Sequence, residues 1–147
     1  FDMRYLEFKE SVDLSEGRRW QDTDDVKLLN SQIKTLDNEH AVNVYGPEVQ
    51  ITDAVKCIAI KPECKWFFDL LTTKLHKLNA SSVDAVEFHL YRHENEWLIW
   101  AVDANEFPYV YDYKKDASFP FSAIALRAVN ERGVWHVSLA DVVEYAK

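Results

Sequence analysis

Hydrophobic and polar residues alternate along the chain with a period that changes from one segment to the next. Residues 4–12 and 85–114 alternate with a period of two, which is typical of strands with one buried face. Residues 22–37 and 62–78 instead repeat apolar residues at intervals of three and four, which predicts two helices. The pattern therefore indicates an α+β fold, in which helices pack on an antiparallel sheet.

Signals at the ends of these segments support the two helices. Asp22 or Thr23 can cap the first helix. The next carboxylates interact favourably with the positively polarised N-terminal end of that helix. Pro62 is well placed in the first turn of the second helix. Residues 41–60 predict short strands interrupted at Gly46-Pro47, and the apolar run 55–60 is the strongest of them.

The segment from residue 85 to residue 113 predicts a three-stranded antiparallel meander. Its strands are 85–92, 96–103 and 107–113. A three-residue turn at 93–95 gives only apolar pairs on one face, namely Val86 with Val102, Phe88 with Trp100, and Leu90 with Leu98. A two-residue turn would pair Arg92 with Trp97 and mix the two faces, so we expect the three-residue turn. The helix at 62–78 would then pack on the Phe88 face.

The outer face of this meander allows two interpretations. Its members are Glu87, His89, Tyr91, Trp97 and Ile99. If no helix covers them, they form an exposed aromatic patch with acidic neighbours, which suits protein binding. If the helix at 24–37 packs there, they form a second core layer. Glu87 and His89 are interpreted as a solvated pair rather than as metal ligands or a proton relay.

The C-terminal part of the chain predicts a second hairpin and a last helix. Residues 122–139 can fold back around 130–133, with Val129 opposite Val134, although the alanine-rich run 123–128 could also be helical. The Ser138-x-x-Asp141 spacing is a capping box for a helix that ends near residue 146. We therefore expect one α+β domain over residues 1–147, with a meander, two main helices and a short C-terminal helix.

Composition and charge narrow the class of partner. The chain has 17 basic and 25 acidic residues, and its net charge of −8 disfavours nucleic acid and anionic membranes. The longest apolar run, Trp97–Val102, is too short to span a bilayer, and no signal peptide is visible, so we expect a cytoplasmic protein. Cys57 and Cys64 are expected to be free thiols rather than a disulfide.

Few motifs of known chemistry occur. Three glycines exclude phosphate loops, dinucleotide-binding turns and serine-nucleophile elbows, and no His-Glu-x-x-His is present. We expect no cofactor and no metal. The leading hypothesis is a non-enzymatic inhibitor, antitoxin-like or immunity-like protein, or an adaptor, that docks a basic or neutral protein.

A nuclease is the alternative function. Asp112-Tyr113-Lys114, with Asp103 nine residues upstream, resembles the acidic-x-Lys signature of restriction-endonuclease-like nucleases. The resemblance implies that Asp103 and Asp112 hold a divalent metal while Lys114 orients the attacking water. The predicted meander, however, separates the two carboxylates by roughly 20 Å along the strands, too far for one metal to bridge.

A second resemblance involves binding rather than catalysis. Residues 97–112 and 138–145 resemble the C-terminal half of the SMI1/KNR4-type immunity proteins. This resemblance implies an acidic α+β protein that neutralises a toxin by binding it. The Leu-Pro-x-x-Tyr element and the Asn-Gly-Gly turn of that family are absent from this chain.

The two ends of the meander are both acidic. Glu94 and Glu96 mark one end, and Asp103 and Glu106 mark the other. Loops held by a rigid sheet are common binding sites, and a binding site also needs aromatic anchors. We therefore predict partner binding at the first end, through Tyr91, His93, Glu94, Glu96 and Trp97.

Overall fold

The computed structural model describes residues 24–79, 81–121 and 123–142, so the strand predicted at 4–12 lies outside the described residues. The elements are α1 (Asp24–Ile33), β1 (Asn43–Gly46), β2 (Val49–Ile51), α2 (Asp53–Ala59), a 3-10 turn (Pro62–Cys64), α3 (Lys65–Leu78), β3 (Ala85–His93), β4 (Glu96–Val102), β5 (Pro108–Lys115), β6 (Ala123–Glu131) and β7 (Val134–Val142). None of the helices in these ranges has both the length and the apolar character of a membrane-spanning helix.

The strands that the structure describes form one mixed sheet. Their order is β1-β2-β7-β6-β3-β4-β5, and every neighbouring pair is antiparallel except β2 and β7. The α+β class and the mostly antiparallel sheet are therefore confirmed. The parallel β2–β7 pair was not predicted, because it joins segments that are far apart in the chain.

The main core lies between α3 and one face of the sheet. Pro62 opens a 3-10 turn that continues into α3, which confirms the helix predicted at 62–78. Its fully buried side chains Phe67, Phe68 and Leu75 share this core with Phe88 of β3. Burial of such side chains is the main stabilising contribution at this face, at roughly 1.5–3 kcal/mol each.

The register between β3 and β4 differs from the predicted one by a single residue. His93 pairs with Glu96, so the turn contains only Glu94 and Asn95. A one-residue shift exchanges the two faces of a strand. In β4, Trp97 therefore belongs to the main core and Trp100 to the opposite face, so the three-residue turn was wrong.

The opposite face of the meander is a second buried layer. Its buried members are Tyr91, Leu98, Trp100, Val102 and Ala123, with Tyr111 packed against them. The prediction that this outer face is an exposed aromatic patch is therefore wrong. The alternative of a second core layer is confirmed for this face, but its proposed cover by the first helix is wrong, because Leu29 and Ile33 of α1 join the main core.

The second hairpin is confirmed as a hairpin, with a tighter turn than predicted. Glu131 pairs with Val134, which leaves Arg132 and Gly133 in the turn at φ 57° and 86°. The predicted pairing of Val129 with Val134 is off by two residues. A shift of two keeps each side chain on its face, so Trp135 is buried in the main core as expected.

Two predicted elements have a different secondary structure. The strand predicted at 55–60 is mostly helix α2, because the Thr52 hydroxyl accepts a hydrogen bond from Val55 N at 3.2 Å and caps it. The predicted C-terminal helix is also wrong over residues 138–142, which continue β7. The rest of that helix lies outside the described residues.

Both cysteines are free thiols, as predicted, but their environments differ. Cys64 is fully buried, and burial raises its pKa to about 12, whereas Cys57 is partly exposed. Only a thiolate reacts quickly with alkylating reagents. We expect iodoacetamide at pH 8 to modify Cys57 in the native protein and to modify Cys64 only after unfolding. Peptide mapping that found Cys64 modified as fast as Cys57 would contradict this.

Candidate functional site

The structure separates the two aromatic residues predicted to anchor a partner. Tyr91 is 1% exposed in the second buried layer, and Trp97 is 3% exposed in the main core. They lie on opposite faces of the sheet, and the Trp97 indole N–H donates to the Ala117 carbonyl at 2.8 Å. Neither side chain offers an exposed surface to a partner.

The polar residues predicted with them surround the β3–β4 turn. Glu94 is exposed, with φ 57°, and Glu96 and His93 are half-buried opposite each other. The His93 Nδ1 atom is buried without a hydrogen-bond partner among the described residues. The role of these three residues in partner binding stays a prediction, and it lacks the aromatic anchor on which it was based.

The residues of the alternative nuclease site are not brought together. Asp112 pairs with Lys74 of α3, with Nζ–Oδ2 at 3.3 Å. Its Cα partner on β4 is Ile99, which is four residues before Asp103, so about 13 Å of strand separates the two positions. Lys114 is exposed near the far end of β5. The described residues contain no group of three His, Cys, Asp or Glu side chains that could hold a metal ion.

The turn at the other end of the meander is organised around Asp103. Its Oδ1 atom accepts hydrogen bonds from Asn105 N at 2.8 Å and from Phe107 N at 3.0 Å. Glu106 N donates to the Asp103 carbonyl at 2.9 Å, and Glu106 adopts φ 60°. This side-chain capping fixes a conformation that a glutamate rarely adopts, so the turn has a defined shape.

Two aromatic side chains project from this turn and remain exposed. Phe107 is 58% exposed and Tyr109 is 37% exposed, and their ring centroids lie 5.0 Å apart. The Tyr109 hydroxyl donates to Asp103 Oδ2 at 3.4 Å. Desolvation and then the nearby Asp103 carboxylate raise the pKa of Tyr109, so it remains a neutral donor. We call Asp103, Glu106, Phe107 and Tyr109 the acidic–aromatic corner.

A cleft of about 470 Å³ lies beside the acidic–aromatic corner. Its walls include Glu87, His89, Val102, Asp103, Glu106 and Arg127. His89 lies flat on the indole of Trp100, with centroids 4.7 Å apart and an interplanar angle of 9°. Its Nε2 atom is 3.3 Å from Glu87 Oε1. The described wall residues thus combine carboxylates with the His89 imidazole, and the volume of the cleft is within the range of ligand-binding clefts.

Comparison with models of protein families, with curated proteins and with solved structures finds no match for this chain.

The residues that the sequence pattern singled out at this end were Asp103 and Glu106. The cleft itself was missed, because it forms only when Glu87 and His89 share a face with Trp100, and the predicted register put them on different faces. The signal that could have found it is the Phe107-Pro108-Tyr109 run directly after an acidic turn.

Proposed function

We propose that this chain is a protein-binding protein of the inhibitor, immunity or adaptor type, and that it docks a basic protein at the acidic–aromatic corner. The observation that carries the proposal is the pair of exposed rings, Phe107 and Tyr109, beside the carboxylates of Asp103 and Glu106. Aromatic residues supply most of the energy at protein interfaces, while carboxylates select a cationic partner.

The charge of the whole chain supports the same class of partner. A net charge of −8 raises the rate of encounter with a basic protein and repels nucleic acid. The turn also supports it, because the hydrogen bonds of Asp103 hold the corner in one conformation before any partner arrives. A preorganised surface loses little conformational entropy on binding.

The test compares the proteins captured by three baits. In the first variant, Glu106→Lys and Phe107→Ala change the corner. In the matched control, Glu39→Lys and Val44→Ala make the same types of change at other exposed positions. We expect a basic protein that the wild-type chain and the control capture and that the corner variant loses.

The captured protein is then purified and its binding to each bait is measured by calorimetry. The corner variant should bind at least about tenfold more weakly than wild type, as expected for loss of an aromatic anchor and reversal of a charge. Wild-type affinity should fall as salt rises. Equal binding by the corner variant and the control would contradict the proposal. A loss of binding in Glu94→Lys with Glu96→Lys alone would instead place the site at the β3–β4 turn.

A further inference from the structure

The strand β1, which comes first in the order of the described sheet, carries exposed apolar side chains. Val44 is 74% exposed, and Val42, which directly precedes the strand, is 69% exposed. Tyr45 faces the main core instead, where its ring packs on Phe68 with centroids 5.8 Å apart. β-Branched side chains, which favour strand pairing, therefore project into solvent at this end of the sheet.

The backbone of Val44 is directed away from the rest of the sheet. Thr52, directly after β2, donates its N–H to the Val137 carbonyl on β7 at 3.1 Å. Backbone groups alternate in direction along a strand, so Ile51 directs its own groups towards its partner Asn43 on β1. The N–H and carbonyl of Val44, the next residue, therefore point to the outer edge, where no described strand lies.

This edge also lacks the features that usually prevent the addition of a strand. Such features are charged side chains and proline within the edge strand. The strand β5, at the other end of the described order, contains Pro108, Asp112 and two lysines. In contrast, the run from Ala41 to Gly46 has no charged side chain and no proline. The two outermost described strands thus differ, and β1 is the one suited to pairing.

From these observations we propose that β1 pairs antiparallel with β1 of a second copy of this chain, about a two-fold axis. The pairing supplies partners for the outward backbone groups and brings the exposed valines of both copies together. Charge favours a second copy as the occupant. A net charge of −8 opposes self-association except where a segment has no carboxylate, and a basic protein gains no attraction from an uncharged segment.

The dimer is expected to be weak and separate from the acidic–aromatic corner. The register of β1 with β2 shifts after Val44, which keeps the regular edge short, and small interfaces give weak complexes. The corner lies where β4 leads into β5, at the opposite end of the described sheet. The inference therefore goes beyond the proposed function, and one chain can dimerise through β1 while it docks a partner through the corner.

The first test is the concentration dependence of the intact wild-type chain. Sedimentation velocity should show a reversible monomer–dimer equilibrium with a Kd of about 0.1–1 mM, as expected for a small interface. The Val44 N–H should exchange with D2O more slowly as the protein concentration rises, because the dimer pairs it. This measurement needs no substitution, so it identifies the edge independently of any effect of a variant on folding.

The second test compares two variants with the same change in net charge. Val44→Lys puts like charges close together across the two-fold axis and should weaken the dimer at least about tenfold. Ile60→Lys makes the matched change at another apolar residue, 69% exposed at the C-terminal end of α2. This control should leave the Kd of the dimer unchanged.

Three results would overturn pairing through β1. The first is a wild-type chain that stays monomeric up to about 2 mM, above the expected range of Kd. The second is an equal effect of Val44→Lys and Ile60→Lys, and the third is a dimer in which the exchange of the Val44 N–H does not slow. Capture of the basic protein by Val44→Lys is measured separately and should persist. The docking proposal therefore stands or fails on the corner variant, whatever the outcome for the dimer.

Discussion

Trp97→Ala is expected to lower the free energy of unfolding by about 3–5 kcal/mol, the range for truncation of a large core aromatic. Trp97 is 3% exposed and packs against Trp66 and Phe119, with ring centroids 6.2 and 5.9 Å away. The substitution also removes the indole N–H that satisfies the Ala117 carbonyl. Urea denaturation at neutral pH measures the loss as a lower transition midpoint.

The control for this variant is Phe107→Ala, which truncates an exposed ring in the turn between β4 and β5. It should change stability by less than about 0.5 kcal/mol, as most exposed substitutions do. Trp97→Ala and Trp100→Ala test the burial of each indole and not the register, because both faces of β4 are buried. Equal stability of Trp97→Ala and wild type would contradict the burial of Trp97 in the main core.

The second large loss of stability is expected for Asn79→Ala, at the C-terminal end of α3. Its Oδ1 atom accepts hydrogen bonds from the Trp135 indole N–H and from Asn130 Nδ2, each at 2.8 Å. Trp135 is fully buried, so Asn79→Ala leaves its N–H without an acceptor. We expect the free energy of unfolding to fall by about 1–3 kcal/mol, the cost of an unsatisfied buried polar group.

A double-mutant cycle tests whether the indole N–H is the cause. Trp135→Phe removes the donor, so adding Asn79→Ala to that background should cost at most about half of what it costs in wild type. The same urea denaturation serves for all four proteins. An identical penalty in both backgrounds would mean that Asn79 acts through the helix end or through Asn130 instead.

Helix positions could be predicted where local signals are strong. The apolar repeat and Pro62 correctly located the helix that begins with the 3-10 turn and continues through α3. The segment 55–60 could not be assigned from its apolar character, because a short apolar run is compatible with a strand or a helix. The capping hydroxyl of Thr52 decides the outcome there, and it lies just outside the run.

The faces of β4 could not be predicted from alternation, because both faces are buried. From Trp97 to Val102 every residue is apolar and buried, so either register satisfies the hydrophobic pattern. For the β6–β7 hairpin, the error in the predicted register did not exchange the two faces of the strands. Its predicted register was off by two residues, which is an even shift, so Trp135 still faces the core.

The candidate site followed from the sequence only in part. The acidic turn at Asp103 and Glu106 is visible in the composition, but exposure of a ring depends on the tertiary contacts of its strand. Tyr91 and Trp97 are buried, whereas Phe107 and Tyr109 are exposed. Aromatic residues of the same type therefore differ in role because of register and neighbouring layers, neither of which is local information.

The parallel pairing of β2 with β7 has a consequence for the order in which the protein assembles during synthesis. Asn38 hydrogen-bonds both the N–H and the carbonyl of Leu139, a residue 101 positions later, and Thr52 N donates to the Val137 carbonyl. A ribosome makes β2 long before β7. The backbone edge of β2 therefore lacks its β7 partner while most of the chain is made, a period in which unpaired strand edges are vulnerable to aggregation. This period ends when β7 is complete and can pair with β2.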